Sequence, residues 1–266
     1  MTQAMGTRQC SLRPARTLLA PGLEISRIVT GLWQVADMER GGTLLDPVRG
    51  ATELAAYAAQ GFDTFDMADH YGSAEVITGT LLASGAPAGV RAFTKWCPPP
   101  GAMGAAMVRE GVQRSLDRLQ TPCIDLLQFH WWTFDHPGYI DALLELAKLQ
   151  QEGLIKAIGL CNFDTAHLRV VLSEGVPIVS NQVCMSLLDR RGTEAMSALC
   201  LERGVQLLAY GVLGGGFLRR ASAELRSELV PQVAAGECKL AFAQVERQSR
   251  YDLFDVATTA KREGAG

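Results

Sequence analysis

Short apolar runs rich in β-branched and aromatic residues alternate along the chain with longer segments whose apolar residues recur at helical spacing. In the segment "MVREGVQRSLDRL", for example, the apolar residues from Val108 to Leu119 fall on one face of a helix. Six of the apolar runs end in a polar side chain, at Asp66, Lys95, His130, Asn162, Gln182 and Tyr210. Because parallel strands need a crossover that is normally a helix, this alternation predicts a series of parallel βα units.

A hairpin and a first strand precede these units. The segment "RTLLAPGLEIS" predicts a hairpin that turns at Pro21 and Gly22, and "SRIVTGLWQV" predicts the first strand, which gives seven βα units in all. We therefore predict an α/β fold, a (β/α)8 barrel of the TIM type. A doubly wound open sheet is the alternative, but nothing after the first strand supplies the glycine fingerprint of that fold.

Four of the polar residues suggest acid catalysis, because strand ends converge on one mouth of a (β/α)8 barrel. An ammonium at Lys95 would lower the pKa of the phenol of Tyr71, and Asp66 would keep the lysine charged. We predict that Tyr71 acts as a general acid near neutral pH and that His130 donates a hydrogen bond to a carbonyl oxygen. The alternative for each strand-end residue is that it only satisfies a loop.

The remaining strand ends suit a nicotinamide cofactor. Asn162 and Gln182 offer amide groups to its carboxamide, and Tyr210 offers an aromatic face to its ring. The loop "YGVLGGGF" that begins at Tyr210 contains glycines whose backbone N–H groups can approach a pyrophosphate, or which simply form a flexible turn. The predicted cofactor contacts in this loop are Gly211, Leu213 and Gly215.

The motif "DMADHY" has the form Asp-x-Ala-x-x-Tyr, and "TK" and "FHW" follow it in the expected order. In these motifs the chain resembles the aldo-keto reductases over about residues 15 to 218, and "FTKWCPPPG" and "SNQV" are similar to a branch found in plants, algae and bacteria. The resemblance implies a TIM barrel that uses NADPH to reduce aldehydes or ketones. It also implies that Tyr71 is the acid, that Lys95 and Asp66 tune it, and that His130 lies at the substrate oxygen.

The resemblance implies further contacts around the same mouth. Asn162 and Gln182 would bind the nicotinamide carboxamide, and Tyr210 would stack on the ring. The substrate pocket would be lined by three tryptophans, Trp33, Trp131 and Trp132. Cys161 stands where the family commonly has Ser or Thr, and a thiol is the weaker hydrogen-bond donor.

The last part of the chain departs from the family pattern. We expect a flexible N-terminus over residues 1–15, the barrel over 16–220, and an atypical tail over 221–266 that resembles a fragment of an acyl-CoA dehydrogenase. The barrel is therefore incomplete or has a non-native eighth strand, for which the apolar segment "CKLAFAQV" (residues 238–245) is the candidate. The departure leaves two functional hypotheses: an NADPH-dependent carbonyl reductase, or a non-enzymatic barrel-like remnant or binding protein without a complete cofactor site.

The composition of the chain limits the kinds of molecule that it is expected to bind. A net charge of -3 provides no basic field for nucleic acid, and no apolar stretch has the length of a membrane span. The expected partner is a small-molecule carbonyl compound. Seven cysteines without a CxxC pair fit a reducing compartment and predict no metal site. We expect a cytoplasmic protein, with a plastid as the alternative because residues 1–23 contain arginines and no acidic residue.

Overall fold

The computed structural model describes residues 13–87, 89–187 and 189–213. The helices are α1 (Trp33–Arg40), α2 (Pro47–Ala59), α3 (Ala74–Ala83), α4 (Ala105–Leu119), α5 (Tyr139–Gln151), α6 (Thr165–Ser173) and α7 (Ala195–Arg203). The strands are β1 (Arg16–Ala20), β2 (Leu23–Ser26), β3 (Thr30–Gly31), β4 (Thr64–Asp66), β5 (Arg91–Trp96), β6 (Leu126–His130), β7 (Ile158–Cys161), β8 (Ile178–Cys184) and β9 (Gln206–Tyr210). A 3₁₀ turn covers Arg191–Thr193.

The main sheet has seven strands in the order β3-β4-β5-β6-β7-β8-β9, and each pairing from β3 to β8 is parallel. A doubly wound sheet reverses its strand order at a switch point, and no reversal occurs among these strands. The predicted α/β class is therefore confirmed, as seven consecutive parallel strands of an incomplete (β/α)8 barrel. The proposed substitute strand at 238–245 lies outside the described residues.

The described chain is divided into two compact units. Residues 13–182 and 199–207 form the larger unit, and residues 183–198 and 208–213 belong to the smaller one. In the larger unit, β1 pairs with β2 in an antiparallel hairpin, as predicted, and Gly22 takes a φ of 72° in its turn. The division of the chain into terminus, barrel and tail stays a prediction.

The first strand of the sheet is shorter than the sequence predicts. β3 contains only Thr30 and Gly31, and α1 begins at Trp33. The segment "WQVADMER" buries Ala36 and carries charged residues on its exposed side, so its pattern suits a helix better than a buried strand.

Helix ends follow ordinary capping rules. Asp46 accepts a hydrogen bond from the N–H of Val48 at 2.9 Å and precedes Pro47 at the first position of α2. Asp164 caps α6 in the same way. After α2 and α5 the chain turns at Gly61 and Gly153, whose φ angles of 90° and 86° favour glycine. These turns direct each following strand into the sheet.

The core lies between the sheet and its helices. Phe65, Phe93 and Phe129, on three neighbouring strands, are fully buried, and Phe129 packs against Trp96 at 5.6 Å between ring centroids. Buried residues occupy successive positions of β5 and β6, as expected of a parallel sheet that is covered on both faces. In the described part of the chain, no helix has the length and hydropathy needed to cross a membrane.

Candidate active site

A buried ion pair lies at the carboxyl ends of β4 and β5. The Nζ atom of Lys95 lies 2.6 Å from Oδ2 of Asp66 and donates a second hydrogen bond to the carbonyl of Met67 at 3.0 Å. Lys95 is only 3% exposed. Although burial alone would lower the pKa of Lys95, the Asp66 carboxylate beside it raises that pKa above its ordinary value. The lysine is therefore held charged.

Two glutamines hold the other oxygen of Asp66. Oδ1 accepts hydrogen bonds from Nε2 of Gln128 at 2.6 Å and from Nε2 of Gln182 at 3.1 Å. The strand register explains this arrangement, because Gln128 is paired with Lys95 across β5 and β6. The carboxylate thus has a partner on each oxygen, which compensates for its removal from water.

Gln128 is a further residue of this site, and the sequence pattern did not predict it. It is fully buried and lies two positions before His130, so both side chains are on the same face of β6. The sequence does contain a signal for Gln128. It is a polar residue inside the apolar run "LLQFH", two positions before the predicted site residue His130.

Gln182 has a different environment from the one the sequence suggests. Its amide nitrogen donates to Asp66, and its Oε1 lies 3.8 Å from the Sγ atom of Cys161. With 8% exposure, this side chain supports the buried carboxylate in addition to any contact with a nicotinamide.

Tyr71 lies in the loop after β4, beside the ion pair. The Nζ atom of Lys95 is 5.1 Å from the centroid of the Tyr71 ring. Burial raises the pKa of Tyr71 to about 12, and the opposing effect of Lys95 is smaller. The predicted lowering of this pKa is therefore wrong in its net direction, because the loss of water around the phenol outweighs the nearby ammonium. At neutral pH the phenol carries its proton.

His130 ends β6 and is a neutral imidazole at neutral pH. Burial, together with the neighbouring His70 and Lys95, lowers its pKa to about 4, against opposing effects of Asp69 and the backbone of Cys161. A neutral imidazole offers one N–H donor and one acceptor.

Aromatic rings surround Tyr71 and His130, and we call Trp33, His70, Tyr71, His130 and Trp132 the aromatic cluster. The ring of Trp33 meets Tyr71 edge-on at 4.9 Å, and His70 meets it at 5.0 Å. Trp132 contacts His130 at 4.5 Å and is 51% exposed. The cluster therefore joins the predicted acid, the predicted oxygen-binding histidine and two of the three predicted pocket tryptophans.

The third tryptophan is not part of this cluster. Trp131 is 2% exposed, stacks on Phe129 at 5.6 Å, and donates its indole N–H to the carbonyl of His136 at 3.0 Å. Trp131 also contacts Tyr139 of α5, at 6.5 Å between ring centroids, whereas Trp132 contacts the cluster. Trp131 is therefore buried and packed away from the aromatic cluster, and its place in the substrate pocket stays a prediction.

The predicted cofactor residues lie in both units. Asn162, in the larger unit, is exposed, has a left-handed backbone with φ of 60°, and donates its N–H to the carbonyl of Gln182 at 2.8 Å. In the smaller unit, Tyr210 ends β9, Gly211 has a φ of 66° and Leu213 is 69% exposed. Gly215 lies outside the described residues.

The loop that carries Tyr71 is held at both ends. On one side, Arg118 donates to the carbonyl of Asp69 at 2.8 Å and to the buried carboxylate of Glu75 at 3.2 Å. On the other side, the N–H and hydroxyl of Ser73 both donate to Glu39 of α1. These contacts join residues far apart in sequence, so no local pattern could have predicted them.

Comparison with known proteins identifies the family. The sequence profile described as the aldo/keto reductase family matches residues 27–258. That match extends past the predicted limit of 218 into the tail, whose resemblance to an acyl-CoA dehydrogenase stays a prediction outside the described residues. The chain is 27% identical to a chloroplastic pyridoxal reductase of Arabidopsis thaliana over 264 residues, which are 91% of this chain and 70% of the relative.

A second relative and a solved structure agree with the profile. The chain is 32% identical to a 6-dehydroglucose reductase of Agrobacterium fabrum over 227 residues, or 76% of this chain and 73% of the relative. The holo form of an aldo-keto reductase from Bacillus halodurans aligns with a TM-score of 0.65 and 26% identity, covering 79% of this chain and 70% of that one. Across eight curated relatives, the matched region spans 34% to 73% of the relative's own length. The chain therefore belongs to the aldo/keto reductase family of oxidoreductases, which act on carbonyl compounds.

Proposed function

We propose that the chain reduces aldehydes or ketones to alcohols with NADPH and that Tyr71 supplies the proton. The observation that carries this proposal is the buried Lys95–Asp66 pair, with Nζ of Lys95 5.1 Å from the centroid of the Tyr71 ring. A charged lysine at that position stabilises a phenolate once the phenol has given up its proton.

The protein's own groups account for the proton half of the reaction. Tyr71 is protonated at neutral pH, so it donates its proton to the carbonyl oxygen as that oxygen gains negative charge. His130, being neutral, donates an N–H hydrogen bond to the same oxygen. NADPH, when bound, supplies the hydride to the carbonyl carbon. Tyr71 then regains a proton from solvent, and Lys95 lowers the cost of its charged state in the interval.

The donor set fits a nicotinamide nucleotide. Asn162 offers an exposed amide to the carboxamide, and the second N–H of Gln182 is a further donor. Tyr210, Gly211 and Leu213 of the smaller unit remain proposed contacts of the cofactor, and Gly215, proposed with them, lies outside the described residues.

Flat aldehydes are the favoured substrate class. The aromatic cluster presents ring faces and edges beside Tyr71, and such groups bind planar ligands through offset stacking and edge contacts. Among the relatives, the Arabidopsis protein is named for pyridoxal, an aromatic aldehyde, and the Agrobacterium protein for a sugar. We therefore rank aromatic aldehydes above sugars as substrates.

A binding protein without turnover is the second candidate, and the environment of Gln182 favours it. The amide of this residue is engaged by Asp66 and lies near Cys161, so fewer of its hydrogen-bonding groups are available to a carboxamide.

Cofactor binding by the full 266-residue chain separates the two candidates. NADPH binding is first measured by a fluorescence titration. NADPH oxidation in the presence of an aromatic aldehyde is then measured from the absorbance of the reduced nicotinamide. NADH serves as the matched control in both measurements. We expect saturable NADPH binding and aldehyde-dependent oxidation, both weakened in Asn162→Ala. Absence of binding at millimolar NADPH would favour the binding protein.

We place the protein in the cytoplasm, with a plastid as the alternative suggested by the chloroplastic relative. A fluorescent fusion to residues 1–23, compared with a fusion to the whole chain, tests this. Import of the short fusion into a plastid would contradict the cytoplasmic proposal.

A further inference from the structure

Three metal-ligating side chains converge beside the aromatic cluster. The ligand atoms of Asp69, His70 and Cys97 all lie within 4.8 Å of one another. The spacing of cysteines along the chain predicts no zinc site, yet the fold brings Cys97, which follows β5, next to the loop that follows β4. We propose that Asp69, His70 and Cys97 form a zinc-binding site at the mouth of the active site, distinct from the catalytic groups.

The carboxylate of Asp69 connects the other two ligands. Its Oδ1 lies 3.0 Å from Nδ1 of His70, and its Oδ2 accepts a hydrogen bond from the backbone N–H of Cys97 at 3.2 Å. Ligand atoms of a tetrahedral zinc ion lie roughly 3 to 4 Å apart. A rotation of the His70 side chain, which is 37% exposed, would close the remaining gap.

The supporting contacts hold two of the ligands in place before any ion arrives. The backbone of Asp69 donates to the carbonyl of Lys95 at 2.9 Å and accepts from Arg118 at 2.8 Å. The carbonyl of Cys97 accepts the indole N–H of Trp132 at 3.3 Å, and three prolines at 98–100 stiffen the chain after it. Such fixed surroundings reduce the entropy cost of metal binding.

The donor set selects the metal. A thiolate, an imidazole and a carboxylate suit Zn²⁺ or Co²⁺, whereas Mg²⁺ and Ca²⁺ prefer oxygen ligands alone. Three protein ligands leave a fourth position for water. Binding replaces the thiol proton of Cys97, which passes to solvent, and the charge of the ion compensates for the thiolate beside Asp69.

An ion at this site is expected to inhibit the enzyme. The ring of His70 lies between Tyr71, at 5.0 Å, and Trp132, at 5.9 Å between centroids. A hydrated cation bound to that ring occupies space beside the predicted acid, where a carbonyl substrate must approach.

Cobalt spectroscopy tests the site without any turnover, so its result does not depend on the proposed function. Co²⁺ is titrated into the full chain and into Cys97→Ser, with Cys123→Ser as a matched control at another half-buried cysteine. We expect a thiolate-to-cobalt absorption band with wild type and Cys123→Ser, its loss in Cys97→Ser, and displacement of the metal by Zn²⁺. A band that persists in Cys97→Ser, or no band at all, would overturn the proposal.

Two further measurements keep the test decisive. His70→Ala alters an exposed side chain, so it should fold, and we expect it to weaken Zn²⁺ binding by calorimetry at least about tenfold. If the enzyme turns over, Zn²⁺ should inhibit Cys97→Ser at least about tenfold less strongly than Cys123→Ser. Equal Zn²⁺ affinity in His70→Ala and wild type, or equal inhibition of the two cysteine variants, would refute the site.

Discussion

The Nζ atom of Lys95 lies 2.6 Å from Oδ2 of Asp66, and the two side chains are 4% and 12% exposed. A charge pair this deeply buried is costly to assemble, because both ions lose their water. Two additional hydrogen bonds to Oδ1 of the carboxylate offset part of that cost. The pair therefore makes the stability of the fold depend on the same groups that the proposed chemistry needs.

Removal of the Asp66 charge should destabilise the protein strongly. In Asp66→Asn the Lys95 ammonium stays buried without an opposite charge, which typically costs about 3–5 kcal/mol of unfolding free energy. Urea denaturation measures the change. The matched control is Asp37→Asn, whose partner Arg40 lies 3.7 Å away with both side chains more than half exposed, and which should change stability by less than about 1 kcal/mol. A loss below about 1 kcal/mol in Asp66→Asn would contradict this account of the pair.

Acid should destabilise the protein through His130. Its pKa is about 4 in the folded chain and 6.5 ordinarily, so protonation favours the unfolded state. The stabilising contribution is fully present above pH 6.5 and is lost as the pH falls toward 4. Because the side chain is partly exposed, we expect a loss on the order of 2 kcal/mol.

Urea denaturation at a series of pH values between 7 and 4 checks this prediction. His130→Gln should flatten the pH dependence in that range relative to wild type. The same slope in His130→Gln and wild type would show that His130 is not the responsible group.

A side chain at Gly72 should disturb the contact between Glu39 and Ser73 that holds the turn after Tyr71. A Cβ atom there would overlap the carboxylate of Glu39, and the φ of 52° also disfavours other residues. We expect Gly72→Ala to displace the Tyr71 loop, lowering both stability and kcat by more than Gly85→Ala does. Gly85 has a φ of 84° with no neighbouring atoms at the Cβ position, so it isolates the backbone strain.

A second substitution separates overlap from strain at Gly72. In the Gly72→Ala, Glu39→Ala double variant the overlap is gone, but the Ser73 hydrogen bonds to Glu39 are gone as well. Gly72→Ala should therefore lower kcat less in a Glu39→Ala background than in wild type. If Gly72→Ala and Gly85→Ala have the same effect on kcat, the Glu39 contact does not position Tyr71.

Much of the site follows from strand-end positions alone. Asp66, Lys95 and His130 were predicted because a polar residue that ends a buried run points to the barrel mouth. The different burial of the adjacent Trp131 and Trp132, 2% and 51% exposed, is not predicted by their positions after the end of β6.

Other features depend on tertiary structure. The net direction of the Tyr71 pKa required its burial, which no local pattern reveals. The contact of Arg118 with the loop, and the convergence of Cys97 with Asp69, join segments that are 49 and 28 residues apart in sequence. The short β3 strand shows a third limit, because an apolar run of that length is compatible with either strand or helix.

The role of Tyr71 as the proton donor is tested most directly by the rate of aldehyde-dependent NADPH oxidation in Tyr71→Phe at saturating NADPH. The control is Tyr57→Phe, which removes a hydroxyl from a tyrosine that is 54% exposed on α2. We predict that Tyr71→Phe binds NADPH with the wild-type affinity and loses at least about 100-fold in kcat, while Tyr57→Phe matches wild type. A kcat for Tyr71→Phe equal to that of Tyr57→Phe would contradict the account.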